Sequence, residues 1–169
     1  VDSRTHGCVS RLSGDRGHPD PALADGHLAK MPRALASGMI GGVLLNRKTL
    51  SVLIPNYNHA HYLPEALQAI LDQSFRPLEV IVIDDGSTDN SVEIIEEFAR
   101  KDPIVHLYRN ERNQGVLFSD NRALNLAVGE YVYFGAADDR ICPGLFEKSM
   151  ELLAQYPQAG LCSALIQLV

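Results

Sequence analysis

The feature that most constrains this chain is an alternation of two periods. Short, nearly continuous apolar runs at 50–54, 80–83, 104–108 and 131–134 are separated by segments of about ten residues or more, several with helical spacing. Between the first two runs, apolar residues fall at 63, 66, 67, 70 and 71, one face of a helix. The spacing predicts further helices over about 91–100, 116–128 and 143–155, the last with Pro143 in its first turn, and a fifth strand over 160–166. Strands joined through helices pair in parallel by right-handed crossovers, and strands apolar along their whole length are covered on both faces. The expected fold is therefore α/β, a doubly wound, mostly parallel, Rossmann-like sheet.

That pattern occupies only part of the 169 residues. Residues 1–50 carry 7 Lys and Arg against 4 Asp and no aromatic, whereas residues 51–169 carry 8 Lys and Arg against 17 Asp and Glu and all 11 Phe and Tyr. The net charge of -6 is thus the sum of +3 and -9. Residues 1–49 show neither period, so they are expected to be a disordered or non-native leader, with residues 50–169 forming the folded domain. Met39, shortly before the first strand, is the expected natural start, with Met31 as the second candidate.

The composition also excludes classes. An acidic body lacks the clustered cations that neutralise nucleic-acid phosphates. No apolar run reaches the roughly 18 residues of a membrane span. Cys8, Cys142 and Cys162 are an odd set without metal-ligand spacing, which suits a reducing, cytoplasmic setting.

In a doubly wound sheet, ligands bind beyond the carboxyl ends of the strands. The first strand ends in Pro55, Asn56, Tyr57 and Asn58, the second in Asp84 and Asp85, the fourth in Asp138 and Asp139. Each acidic pair alone could simply cap a helix. Four carboxylates gathered at one edge, however, repel unless a cation or a ligand's hydrogen-bond donors compensate. No G-x-G-x-x-G or Walker-type loop follows the first strand, so a diphosphate here would depend on Mg2+ or Mn2+ held by carboxylates and its own oxygens. The second-strand carboxylates could accept from a ribose hydroxyl or a base N–H. His59 and His61 lack a third metal ligand in sequence, Tyr131 and Tyr133 read as packing residues, and His106 as a half-exposed strand residue.

Ser51-Val-Leu-Ile-Pro-Asn-Tyr-Asn58, Glu79-Val-Ile-Val-Ile-Asp-Asp-Gly-Ser-Thr-Asp89, Asn113-Gln-Gly-Val116 and Gly129-Glu-Tyr-Val-Tyr-Phe-Gly-Ala-Ala-Asp-Asp139 together resemble the successive signatures of family 2 glycosyltransferases. The resemblance covers about residues 50–169 and implies a GT-A nucleotide-sugar-binding part. It implies that Pro55 to Asn58 border the base and that Asp84 and Asp85 contact base and ribose. It also implies that Asp138 binds ribose and a Mn2+ or Mg2+ ion, with Asp139 as the second metal candidate. The implied reaction moves a sugar from a nucleotide-diphosphate donor to a saccharide or lipid-linked acceptor hydroxyl with inversion. Family members commonly build cell-envelope polysaccharide at the cytoplasmic side of a membrane.

Two residues depart from the family pattern. Ala136 stands where the acidic motif usually has its first Asp, and Asp120 stands where an Arg often precedes Asn121. Arg122 then reads as an exposed helix cation. The family's catalytic base follows the acidic motif by many tens of residues, so it is expected beyond Val169. Glu147 and Glu151 lie too early for that role, and the domain is expected to be C-terminally truncated. Two other classes compete: a nucleotide-sugar-binding module without turnover, and a phosphoacceptor receiver domain. The receiver requires a lone Asp after a middle strand and a Lys after the last, whereas here the third strand runs into Tyr108-Arg-Asn and Lys148 lies in a helical segment.

Overall fold

The computed structural model describes residues 8–12 and 48–163. Its elements are β1 (Cys8–Arg11), β2 (Leu50–Asn56), α1 (Leu63–Leu71), β3 (Glu79–Asp84), α2 (Ser91–Lys101), β4 (Val105–Arg109), α3 (Val116–Leu126), β5 (Tyr131–Phe134), α4 (Leu145–Gln155) and β6 (Leu161–Ser163). They form one six-stranded sheet in the order β4-β3-β2-β5-β1-β6. Pairs β2/β3, β3/β4 and β2/β5 are parallel, as the alternation predicts.

Alternate strand residues divide between two cores. On one face Leu50, Val52, Ile54, Val80, Val82, Tyr131 and Tyr133 pack with Leu63, Leu67 and Ile70 of α1, Ile95 of α2, and Phe146, Met150 and Leu153 of α4. On the other, Leu53, Ile81, Ile83 and Val132 meet Ala123 and Ala127 at α3. Small alanines let α3 approach the sheet closely. Each large side chain buried here stabilises the fold by about 1.5–3 kcal/mol. Tyr131 and Tyr133 are core residues as expected, the Tyr131 hydroxyl accepting from Lys48 Nζ at 2.9 Å.

The leader reading needs one correction. Cys8–Arg11 is a strand, antiparallel to both β5 and β6. Val9 is buried in the first core, Leu12 N–H donates to Glu130 O at 2.9 Å, and Arg11 lies 3.4 Å from Glu130. Four residues carry too little pattern to be read alone; pairing on both sides supplies what their own propensity does not. The remainder of the 1–47 segment, Met39 included, and residues 164–169 lie outside the described residues. Pro143 also sits ahead of its helix, because Gly144, at φ 80, is the N-cap of α4. No helix among the described residues is long and apolar enough to cross a membrane.

Candidate functional site

The chain runs β2, β3, β4 outward to one edge and then returns to place β5 on the other side of β2. Connections from β2 and β5 lead to α1 and α4 on the same face of the sheet, and the carboxyl ends of β2, β3 and β5 stand side by side at one edge, the usual ligand side in such sheets. Pro55 and Asn56 lie at the end of β2, beside Ile83 and Asp84 of β3. Phe134 ends β5 opposite Leu53, and the Gly135 N–H donates to Leu53 O at 3.0 Å. A Cβ on Gly135 would lie 2.7 Å from Ile54 Cδ1, so glycine lets the chain leave β5 this close to β2. Ala137 is fully buried and anchors the turn that carries Asp138, exposed, and Asp139, half-buried.

Asp84 and Asp85 are 0 % and 3 % exposed. Asp84 Oδ1 accepts from Asn56 Nδ2 at 2.9 Å and Oδ2 from the Ser87 N–H at 3.1 Å. Asp85 Oδ1 accepts from Asn110 Nδ2 at 2.7 Å and the Gln114 N–H at 3.0 Å, and Oδ2 from the Gly115 N–H at 2.8 Å. The compensation expected from a cation or ligand is therefore met internally for this pair. Asp85 thus fixes the approach to a helix, and the helix is α3, whose N-cap is Gly115, rather than the neighbouring α2. A carboxylate at a helix N-terminus is favoured by the free N–H groups and the dipole there.

The β2–α1 and β3–α2 loops are joined as one unit. Asn58, at φ 56, accepts on Oδ1 from the Thr88 N–H at 2.8 Å, and its own N–H donates to Ser87 Oγ at 3.0 Å. Asp89 Oδ2 accepts from the Ala60 N–H at 3.0 Å. Burial alone would raise the Asp89 pKa, but hydrogen bonds from Ser91 and Ala60 outweigh it and hold the carboxyl below its ordinary value. Gly86, at φ 74, closes the turn; a Cβ there would meet the Arg112 backbone at 2.8 Å. Tyr57 is left exposed on this rigid rim.

Asn110, Ser87 and Gly115 are site-building residues that the sequence reading missed, although Asn113-Gln-Gly was visible as a motif. Arg122, expected as an exposed cation, instead donates to Arg109 O at 2.7 Å and to Asn110 Oδ1. Asp120 is half-buried, burial raises its pKa, and its Oδ1 is buried without a hydrogen-bond partner. His59 and His61 pack edge-on against Tyr62, at centroid distances of 6.3 and 5.1 Å. Among the described residues no group of three or more His, Cys, Asp and Glu could hold a metal by itself. Asp138 and Asp139 alone are hard oxygen donors, a set that suits Mg2+ or Mn2+ only with further oxygens from a ligand.

Residues 51–167 match the model of glycosyl transferase family 2. An uncharacterized glycosyltransferase of Haemophilus influenzae is 38 % identical over 111 residues, 66 % of this chain and 44 % of that protein. The putative teichuronic acid biosynthesis glycosyltransferase TuaG of Bacillus subtilis is 34 % identical over 106 residues, 63 % of this chain and 42 % of that protein. Among solved structures, S. aureus TarS 1–349 in complex with UDP-GlcNAc is similar with a TM-score of 0.60 and 32 % identity, covering 64 % of this chain and 32 % of that one. The mannosyltransferase PcManGT of Pyrobaculum calidifontis, in complex with GDP-Man and Mn2+, gives 0.59 and 28 %, covering 65 % of this chain and 33 % of that one. The chain spans less than half the length of these relatives. With its mixed α/β sheet resembling GT-A glycosyltransferases, the chain belongs to glycosyl transferase family 2.

Proposed function

We propose that this chain is the donor-binding part of a glycosyltransferase that moves a sugar from a nucleotide-diphosphate sugar to an acceptor hydroxyl with inversion, assisted by Mn2+ or Mg2+. The observation that carries this reading is the common sheet edge at which the Asn56–Asp84 unit ends β2 and β3 and the Asp138–Asp139 turn follows the neighbouring β5. Pro55, Tyr57 and Asn58 border the base, the exposed Tyr57 ring offering a flat apolar face. Asp84 and Asp85 contribute first by fixing the turns that shape the base and ribose pocket. For either to accept a bond from the nucleotide, a ligand donor must share or displace a Ser87, Gln114 or Gly115 bond.

Asp138, with Asp139 second, would hold the divalent ion, the diphosphate oxygens completing the coordination. Such an ion supplies stabilisation of negative charge on the departing diphosphate. The acceptor oxygen forms its bond to the anomeric carbon as the bond from that carbon to phosphate oxygen breaks, and its proton passes to a carboxylate base. No described carboxylate is given that role: Glu147 accepts from Ser74 Oγ at 2.9 Å and Glu151 pairs with Lys148 at 3.5 Å, both on the helix beyond the acidic turn. Relatives named for teichuronic acid and minor teichoic acid biosynthesis support a place in cell-envelope polymer assembly; a saccharide or lipid-linked acceptor at the cytoplasmic side of a membrane completes the proposed reading. Nucleoside diphosphate release from a panel of donors with Mn2+, with and without simple saccharide acceptors, tests transfer; release from no donor would leave a binding module without turnover.

A further inference from the structure

The edge at which β2, β3 and β5 end is rich in carboxylates and short of cations. Arg122 is committed to Arg109 O and Asn110 Oδ1. Arg109 ends β4 and Arg112 follows it, and β4 lies two strands from β2. At about 4.8 Å between neighbouring strands, that puts Arg109 about 10 Å to the side of the β2 end, while Arg112 lies with its backbone against Gly86, in the turn after β3. Arg140 is placed differently. It follows Asp138 and Asp139 directly, and its Nη1 lies 2.8 Å from Oε1 of Glu65, in the first turn of α1. The α1 connection leaves β2 and the Arg140 turn leaves β5, so this ion pair spans the connections from two neighbouring strands.

Both side chains are largely exposed, 75 % for Arg140 and 63 % for Glu65. Water screens such a pair, and it holds its partners loosely. A phosphate offers the same guanidinium two parallel, charge-assisted bonds and more negative charge than one carboxylate. We infer that Arg140 is a diphosphate-binding residue, placed beside the acidic turn with Glu65 as its partner and exchanged onto phosphate oxygens when a nucleoside diphosphate binds. The inference rests on the nucleotide-sugar reading above. It makes Glu65 a competitor: its carboxylate occupies Arg140 in the free chain and repels the phosphate in the complex.

The test is titration of UDP and GDP, each with Mn2+, alongside uridine and guanosine, on the unaltered chain and on Arg140→Ala, Arg140→Lys and Glu65→Gln. The ratio of diphosphate to nucleoside affinity falls about tenfold in Arg140→Ala, the loss expected for one charge-assisted contact, and recovers in part in Arg140→Lys. In Glu65→Gln the ratio rises about threefold, because a competitor and a like charge are removed. A strut between α1 and the acidic turn would instead weaken binding when either partner is lost. A fall in both variants, or unchanged ratios, overturns the inference while leaving the nucleotide reading intact. Absence of diphosphate binding to the unaltered chain overturns both.

Discussion

Asn56 Nδ2 donates to Asp84 Oδ1 at 2.9 Å, tying together the carboxyl ends of two parallel strands where both side chains are almost completely buried. The same amide reaches Ser87 Oγ at 3.2 Å, so the end of β2 also fixes the turn after β3. Asn56→Ala leaves a buried carboxylate oxygen without its donor and should cost about 1–3 kcal/mol in urea unfolding at pH 7. Asn56→Asp should cost more at pH 7, because it sets a second carboxylate against the buried Asp84 in place of a donor.

Asp85 holds the loop that leads into α3 through the N–H groups of Gln114 and the N-cap Gly115 while also fixing Asn110. Asp85→Ala should lower stability by about 2–3 kcal/mol, the range for charge-assisted bonds lost from buried partners. Amide exchange at Gln114 and Gly115 should accelerate before that of the β3 core; unchanged exchange there would separate Asp85 from the helix start.

Gly86 combines φ 74 with the Arg112 backbone at 2.8 Å from any added Cβ. Gly86→Ala should destabilise by about 1–3 kcal/mol through strain at this turn. Gly115→Ala, with a positive φ but open space around it, should cost less in the same unfolding measurement.

Two carboxyls should shift the pH dependence of stability in opposite directions. Burial raises Asp120 above its ordinary 3.8, so its contribution is full below that value and is lost as pH rises through the folded pKa. Asp120→Asn should therefore raise the urea midpoint relative to the unaltered chain at pH 7, the gain shrinking below about pH 4. For Asp89, burial is outweighed by hydrogen bonds from Ser91 and Ala60, so its contribution is present above 3.8 and lost as pH falls through the lowered pKa. Asp89→Asn should lower the midpoint at pH 7 and have no such effect in strong acid.

The parallel strands were legible because each is a short apolar run: the observed β5, Tyr131–Phe134, coincides with the expected one, β3 differs by a residue at each end, and β2 runs on through Pro55 to Asn56. Asp84, Asp85, Asp138 and Asp139 were visible as strand-end acids. What Asp85 binds was not visible, because Asn110 and Gly115 lie 25 and 30 residues away and meet it only once β3, β4 and α3 are assembled. Cys8–Arg11 was missed for a related reason, since its strand character comes from Tyr131–Phe134 and Leu161–Ser163 on either side.

The central claim, a nucleotide-diphosphate site completed by a divalent ion at Asp138, is tested most directly by calorimetric titration of UDP and GDP with and without Mn2+, on the unaltered chain and on Asp138→Ala. The account predicts binding of at least one diphosphate that weakens about tenfold or more when Mn2+ is withheld or Asp138 is replaced. Binding of equal strength without the metal, and untouched by the substitution, would contradict it.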